Sequence, residues 1–468
     1  MFTRGTTNLE QLKLALVIHN HQPVDNEDEI VEDIYKNCYY PFLKVLSVHS
    51  KVKANLHYTG SLLEWLESRH PEFMRLLRTL VNRSQVEIIG GAYYEPIVSV
   101  IPDADADRQI DLLSRKIRRS FGKSPSGFWT AERAWEPQLP EVLDRSGLRY
   151  TLLDDDIFAG SGIQEPHLFE PYIVESRGSV IEVFPMVKRL RYLIPFQSVP
   201  RTISYLRKSA GRGKIAVYAD DGEKFGAWPS TFERVYTRGW LESFLRALEK
   251  ETGWLSTVKL SEYLAENPAR NRIYLSSSSY PELMNWSLPV SGTKNAKERG
   301  FWRLFLAKYP ESARMYARML RVSRFVHRPG MRLSREIVSE LWKGQCNDAY
   351  WHGVFGGLYA APLRRITNGH LIAARALAEK AIHHEGNYLE IEQVEFDRSN
   401  DLLVNTKFLG VLATPRYGGT LIELDDKRAR LDLFDTLSRR KESYHQEIRK
   451  NIRTSSTERQ PPRGSGAQ

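Results

Sequence analysis

At 468 residues, 41% hydrophobic and 11% aromatic, the chain exceeds one small core and has ample apolar material for two or three globular domains. The net charge of +10 gathers near the end, in "SRRKESYHQEIRKNIRTSSTER"; without a zinc-finger, helix-turn-helix or RNA-recognition signature it reads as solvated surface, and no nucleic-acid partner is expected. Two distant cysteines, Cys38 and Cys346, argue against a disulfide framework, and the lack of a signal-peptide core or a run near the roughly 20 apolar residues of a membrane span predicts a soluble, cytoplasmic chain with no membrane partner.

In chain order, "LALVI" (Leu14 to Ile18) reads as a buried strand. It ends in "HNHQP", where His19 and His21, two apart, share a face of extended chain. "VKANLHY" (Val52 to Tyr58) is a second strand, followed by "SLLEWLESR", in which Ser61 and Glu64 make a capping box. "QVEIIGG" then leads to Glu95 in "AYYEP", its paired glycines suited to a positive φ. "SGFWT" leads to Glu132 and Glu136 in "AERAWEP", and "RYTLL" to Asp154, Asp155 and Asp156. "SVIEVFP", "KIAVYADD" and "NRIYLSSS" continue the strand series, the second ending in Asp220, Asp221 and Glu223. Amphipathic stretches such as "FMRLLRTLVNR" and "WLESFLRALEK" lie between them, so the pattern argues parallel βα units with a site where the strands end. From about Gly300 to Glu385 the pattern is helical; short alternating strands follow, and "TSSTERQPPRGSGAQ" has the composition of a disordered tail.

Each strand-end motif alone has a plainer reading. "DDGE" is more often a surface turn or a cation site, and a His-x-His pair is as often structural. Their conjunction after buried strands points instead to one cleft holding several carboxylates. Such a pair suits glycoside chemistry: one carboxylate ionised to attack the anomeric carbon, the other holding a proton for the leaving oxygen. Trp129, Trp135, Trp228, Trp286 and Trp351 are candidate sugar platforms, although any one tryptophan is more often core.

"HNHQP", "GGAYYEPI", "GFWTAERAWEP", "YADDGEKFGAWP" and "QCNDAYWHGVFGGLYAAPLR", running from His19 to Arg364, together resemble glycoside hydrolase family 57. "YGGTLIELDDKRARLDLFDTLSRRKESYH" further resembles the β-domain opening of its 4-α-glucanotransferase and α-amylase branch, and the likeness fades near His445. The resemblance implies an α/β fold: an incomplete (β/α)7 barrel over 1–299, a helical region completing the active site over 300–385, and the start of a β-sandwich-like domain over 386–450, left truncated before a tail over 451–468. It implies retaining chemistry on α-glucan or maltooligosaccharide, with no cofactor or metal and with a homodimer allowed. By motif position Glu132 matches the nucleophile and Asp221 the acid/base. His19, His21, Glu95, Glu223 and Asp348 match the donor-sugar site, joined by Trp129, Trp351 and His352. Transferase and amylase share these residues; the β-domain opening tilts the reading to the transferase.

Two other classes were weighed. A metal-dependent polysaccharide deacetylase would use His19, His21 and Asp221 as ligands, but no spaced histidine pair on a helix supplies the rest. A non-catalytic glucan-binding protein would have no need of an intact Glu132 and Asp221.

Overall fold

Strand β1 (Leu12–Asn20) is buried at all but one position, and the chain builds the rest of its first unit around it. The structure, a computed structural model, describes residues 11–445 except 212, 289–299, 354–356, 383–385, 395, 397–398 and 443–444. After β1 come β2 (Ala54–Tyr58), β3 (Val86–Ile89), β4 (Gly127–Phe128) and β5 (Tyr150–Asp154). They are followed by β6 (Tyr172–Ser176), β7 (Ser179–Met186), β8 (Lys214–Asp221), β9 (Leu255–Thr257) and β10 (Asn271–Arg272).

These strands form two sheets. The first has the order β3-β2-β1-β8, with β9 also on β1, and every pairing is parallel. The second has the order β10-β6-β7-β5-β4, parallel except for a β6–β7 hairpin that turns through Arg177 and Gly178, both at positive φ. Backbone bonds join the sheets at both sides. Gly90 N donates to Gly127 O at 2.9 Å and Trp129 N to Gly90 O at 2.8 Å; Val187 N donates to Val217 O at 2.8 Å.

Strand alternation sorts the apolar residues into two cores. One face of both sheets supplies Ala15, Val17, Ile89, Leu152, Phe184 and Val217 to a shared cluster. The other face packs against helices such as Pro71–Asn82, Asp103–Phe121 and Trp240–Lys250. Burying one such side chain is worth about 1.5–3 kcal/mol.

Three sequence expectations are corrected. "NRIYLSSS" supplies only the two-residue edge strand β10; its serines lead the chain away to Trp135, whose backbone exchanges bonds with Ser278 at 2.9 and 3.0 Å. No capping box forms at Ser61, because the helix Gly60–Arg69 starts earlier, with Thr59 as its N-cap and Leu63 N donating to Thr59 O at 3.0 Å. The glycines Gly90 and Gly91 do not adopt positive φ. A Cβ at Gly91 would lie 2.4 Å from His57 Nε2, so close approach is what that position requires.

The helical region contains Pro310–Val326, Arg335–Lys343 and Ala361–Ala381. Asp105, fully buried in the helix Asp103–Phe121, fastens it to the first unit. Its carboxylate accepts from Ser323 Oγ (2.6 Å), His327 Nε2 (2.7 Å), Gln345 Nε2 (2.8 Å) and Trp342 Nε1 (3.0 Å).

An antiparallel sheet follows: β11 (Tyr388–Glu392), β12 (Asp401–Asn405), β13 (Leu409–Thr414), β14 (Thr420–Asp426) and β15 (Leu431–Asp432). Its inner face, with Leu403 and Leu412, packs on Ala317 of the helix Pro310–Val326. Leu389, Ile391 and Leu421, on the opposite face by register, are exposed. The expected tail, 451–468, lies outside the described residues.

Candidate active site

Register aligns the first site residues. His19 on β1 is level with His57 on β2 and Asp221 on β8, at the C-terminal ends of three adjacent parallel strands. All three continue the alternation that places Ala15, Val17, Val217 and Ala219 in the inner core. The interior face thus turns polar only at its last step, and that step opens on the cleft.

His19 is tightly held. Its Nδ1 lies 2.8 Å from His57 Nδ1, its Nε2 lies 3.6 Å from Glu95 Oε1, and its ring stacks on Trp129 with centroids 4.4 Å apart. Burial, with the neighbouring His57 and His21, keeps His19 well below the usual imidazole range; burial pushes His57 down to about 3. Both rings are therefore neutral hydrogen-bonding groups. His21 is the opposite case: burial works against its charge, but Asp348 Oδ2, 3.0 Å from Nε2, holds it well above the usual range.

Five carboxyl groups, Asp348 among them, lie close enough at the strand ends to act on one another. Burial raises Glu95 to about 8 and Glu132 to about 7, where Asp221 reinforces and Arg133 opposes the rise. Burial, then the adjacent Asp220 carboxylate, raises Asp221. Burial and Asp221 raise Glu223 to about 7, although the Tyr39 hydroxyl donates to it and Gln22 Nε2 reaches it at 3.4 Å. Tyr280 hydrogen-bonds Glu132 and lies 4.2 Å below the Arg133 guanidinium. Perturbed acids gathered in one cleft are the expected signature of acid–base chemistry.

The second carboxylate of "ADDGE" is thereby separated from the first. Asp220, fully buried, takes a charged contact from Lys224 and lies 3.4 Å from Arg191 Nε; these hold it below the usual range despite burial. Asp220 is structural, and Asp221 faces the cleft. Gly222 follows because a Cβ there would lie 2.1 Å from Asn20 Oδ1.

Backbone strain marks the same residues. Glu95, Glu132 and Arg133 have φ of 55°, 51° and 45°, a left-handed conformation that costs non-glycine residues about 1–3 kcal/mol each. Asn347 holds Glu95 in place, its backbone N and Nδ2 donating to Glu95 O at 3.2 and 2.6 Å. The segment 346–352 is itself braced by Trp351 Nε1 donating to Asn347 Oδ1 at 2.7 Å. Trp351 is half-buried and stacks on the half-buried Trp286 at 6.3 Å, while His352 is buried edge-on to Tyr359 at 4.4 Å.

Several expectations change. Glu136 does not join the cluster; Arg303 Nε from the helical region pairs with it at 2.6 Å. Asp154 is buried between Arg133 and Arg191, Asp155 accepts from Lys188 N at 3.0 Å, and Asp156 pairs with Lys188 at 2.6 Å, because the chain turns into a helix at Asp155. Trp135 is core at 1% exposure, and Trp129 at 2% backs His19, with no open face for a sugar. His19, His21 and Asp221 do not form a ligand set: the clusters that bring metal-ligating atoms together among the described residues are His19–His57–Glu95 and His21–Cys346–Asp348. Sequence reasoning missed His57, Arg133, Tyr280 and Asn347. A histidine inside the apolar run "ANLHY" was the available signal for the first.

The chain is similar along most of its length to known proteins. A family model described as glycosyl hydrolase family 57 matches residues 15–276. Models for the middle and C-terminal domains of α-amylase/4-α-glucanotransferase match residues 300–378 and 393–464, and the last continues past His445, so the likeness does not fade there as the motifs alone suggest. The chain is 38% identical to α-amylase 1 of Dictyoglomus thermophilum and 39% identical to a 4-α-glucanotransferase of Thermococcus litoralis. Each match covers 94% of this chain, and 67% and 68% of the relatives. The crystal structure of the Thermococcus litoralis 4-α-glucanotransferase superposes with a TM-score of 0.87 at 38% identity, over 95% of this chain and 71% of that one. A family 57 branching enzyme from Thermococcus kodakaraensis shares the fold, with a TM-score of 0.61 at 17% identity over 80% of this chain and 91% of that one.

Proposed function

Because this chain belongs to glycosyl hydrolase family 57, we propose that it is a retaining α-glucan enzyme that moves maltooligosaccharide segments between α-1,4-glucans, with hydrolysis when water is the acceptor. The observation that carries this reading is that Glu132 and Asp221, neither in an ion pair among the described residues, lie at the strand ends close enough to act on each other and are both raised by burial. Glu132 attacks the anomeric carbon while Asp221 gives its proton to the leaving glucan oxygen. The covalent glycosyl-Glu132 is then released to an acceptor hydroxyl deprotonated by Asp221, a course that asks for carboxyl groups about 5–5.5 Å apart.

The neighbours suit these roles. Arg133 favours the ionised form of Glu132, and Asp220 favours the protonated form of Asp221. His19, His21, Glu95, Glu223 and Asp348 line the donor sugar and hydrogen-bond its hydroxyls. Trp286 and Trp351, half-exposed and stacked, offer an aromatic platform; Trp129 and His352 act from behind the surface, by backing His19 and bracing the 346–352 segment. Relatives at 38% and 39% identity carry both activity names, so hydrolysis stands as the second reading.

We read the two sheets as one incomplete barrel of seven parallel strands, β1, β2, β3, β4, β5, β7 and β8, because backbone bonds join them at both sides around a shared core. The same reading keeps 1–299 as the catalytic domain, 300–385 as its helical complement and 386–450 as the start of a β-rich domain, in a cytoplasmic protein free to form a homodimer.

Incubation with maltotriose, resolved by anion-exchange chromatography, tests the proposal. Longer maltooligosaccharides plus glucose are expected; shorter sugars alone would make the enzyme a hydrolase. Glu132→Gln should lower kcat by at least about 10³-fold, of the order found for a covalent nucleophile, and substantial turnover in the pure variant would end that assignment.

A further inference from the structure

We propose that His21, Cys346 and Asp348 form a binding site for Zn²⁺, and that an ion held there blocks the glucan cleft. His21 leaves the end of β1, while Cys346 and Asp348 flank Asn347 more than three hundred residues later. The fold brings them together. His21 Nε2 lies 3.0 Å from Asp348 Oδ2, and the Cys346 thiol donates to the same oxygen at 2.9 Å. One nitrogen, one sulfur and one oxygen donor thus sit within 4.8 Å of one another.

The donor set selects the ion. Zinc takes imidazole nitrogen, thiolate sulfur and carboxylate oxygen, with three protein ligands and an open fourth position common where water or substrate also binds. Its bond lengths of about 2.0–2.3 Å set tetrahedral ligands roughly 3.3–3.7 Å apart. The two contacts to Asp348 Oδ2, at 3.0 and 2.9 Å, would widen by about 0.3–0.8 Å to reach that spacing. On binding, Cys346 releases its thiol proton to solvent and ligates as thiolate; His21 ligates through neutral Nε2 and Asp348 through one carboxylate oxygen. His21 Nδ1 lies 3.4 Å from Thr59 Oγ1, an outer partner of the kind that orients a ligating ring. A thiolate favours zinc over the oxygen-seeking Mg²⁺ and Ca²⁺.

The alternative trio, His19, His57 and Glu95, is less suited. All three are buried, and the 2.8 Å contact between the two Nδ1 atoms would have to be broken. Cys346 is buried too, but the His21 and Asp348 side chains keep 13% and 22% of their surface exposed, so an ion has a route to this trio. The consequence for turnover rests on the functional reading above: His21 and Asp348 cannot bind both zinc and sugar hydroxyls, so zinc competes with glucan.

Cobalt titration of the full chain tests the site without turnover. Co²⁺ should bind at one equivalent with a thiolate-to-cobalt charge-transfer band in the near ultraviolet, removed by Zn²⁺ and suppressed by maltotriose. Cys346→Ser should abolish the band. Cys38→Ser should keep it, since that thiol belongs to neither cluster of ligating atoms and donates to Gly222 O at 3.0 Å. Zinc should slow maltotriose turnover at least tenfold in the unmodified enzyme, reversibly with chelator, and less than twofold in Cys346→Ser. No band in the folded unmodified protein, or one that survives Cys346→Ser, overturns the site. A band with zinc-insensitive turnover overturns the block, and a chain inert on every glucan would sink the functional reading while the band still decides the metal site.

Discussion

The parallel unit and the C-terminal antiparallel sheet both bury carboxylates, but they treat them oppositely. Glu423 in β14 meets Arg321 and Arg318 of the helix Pro310–Val326 and is held below the usual range despite burial, while Asp432 meets Arg318 at 2.9 Å. At the ends of the parallel strands, Glu132, Asp221 and Glu223 have no lysine or arginine ion pair among the described residues, and burial drives all three upward. Paired carboxylates dock one layer onto another. Those without a cation are raised by burial, Glu132 and Glu223 to about 7, and a raised carboxyl can hold a proton for acid–base catalysis. The contrast holds residue by residue: Glu423 is held down by Arg318 and Arg321, whereas its neighbour Asp425, which shares Arg318 with Glu423 and Asp432, is pushed up to about 7 by burial.

The largest expected effect tests the unpaired group. Asp221→Asn should cut kcat/KM on maltotriose by about 10²–10⁴-fold, the range for loss of a general acid. Maltotriosyl fluoride needs no proton on its leaving group, so the variant should still consume it in a single burst, whereas Glu132→Gln should not. Stability should hold, because Asp221 makes no ion pair among the described residues for the substitution to break. A urea midpoint well below that of the parent would show that Asp221 had been attaching layers after all.

Asp105 is the paired counterpart within the first unit. Asp105→Ala strands four donors, from Ser323, His327, Trp342 and Gln345, and should cost about 3–5 kcal/mol, the scale for breaking a buried charged network. Burial opposes its ionisation, yet His327 and the other donors hold it below the usual aspartate range. The folded pKa is thus lower than the unfolded one. Its stabilisation is fully present above the unfolded value of about 3.9 and is lost as pH falls through the folded value. Urea midpoints at pH 7 and pH 3 should therefore differ more in the parent than in Asp105→Asn. Equal differences would remove Asp105 from this role.

Two strands that carry the site were legible because their apolar runs end abruptly in polar side chains: β1 in His19 and His21, and β8 in Asp220, Asp221 and Glu223; β5 ends the same way in Asp154 to Asp156 but carries none of the site. Spacing also put His19 and His21 at the cleft. What escaped was whatever depended on distant partners. Asp105 sits in "DADAD", indistinguishable in the sequence from a solvated helix start, and only the helical region more than two hundred residues later makes it a docking point. Asp154 and Asp220 read like Asp221 until Arg133, Arg191 and Lys224 are seen beside them. The positive φ of Glu95 and Glu132 carries no sequence signal either, since neither is glycine. Trp129 read as a platform, and only the stacked His19 shows which side of the cleft wall it occupies.

The smallest effects contrast the two faces of the antiparallel sheet. Leu412 is fully buried against Leu403 and Ala317, so Leu412→Ala opens a cavity and should cost about 2–5 kcal/mol. Leu421 is half exposed on the other face, which also exposes Ile391 and Leu389 on β11, with two strands between. Leu421→Lys removes no packed contact, and stability should shift by no more than about 0.5 kcal/mol, as at other surface positions. Exposed apolar strands invite edge and face association, so the lysine should also lower self-association in sedimentation at high concentration. Turnover should be unchanged in Leu421→Lys, because that face lies on the far side of the sheet from the helix Pro310–Val326. A loss of stability in Leu421→Lys comparable with Leu412→Ala would mean that the outer face is covered in solution, and the two faces would then have to be treated as two cores.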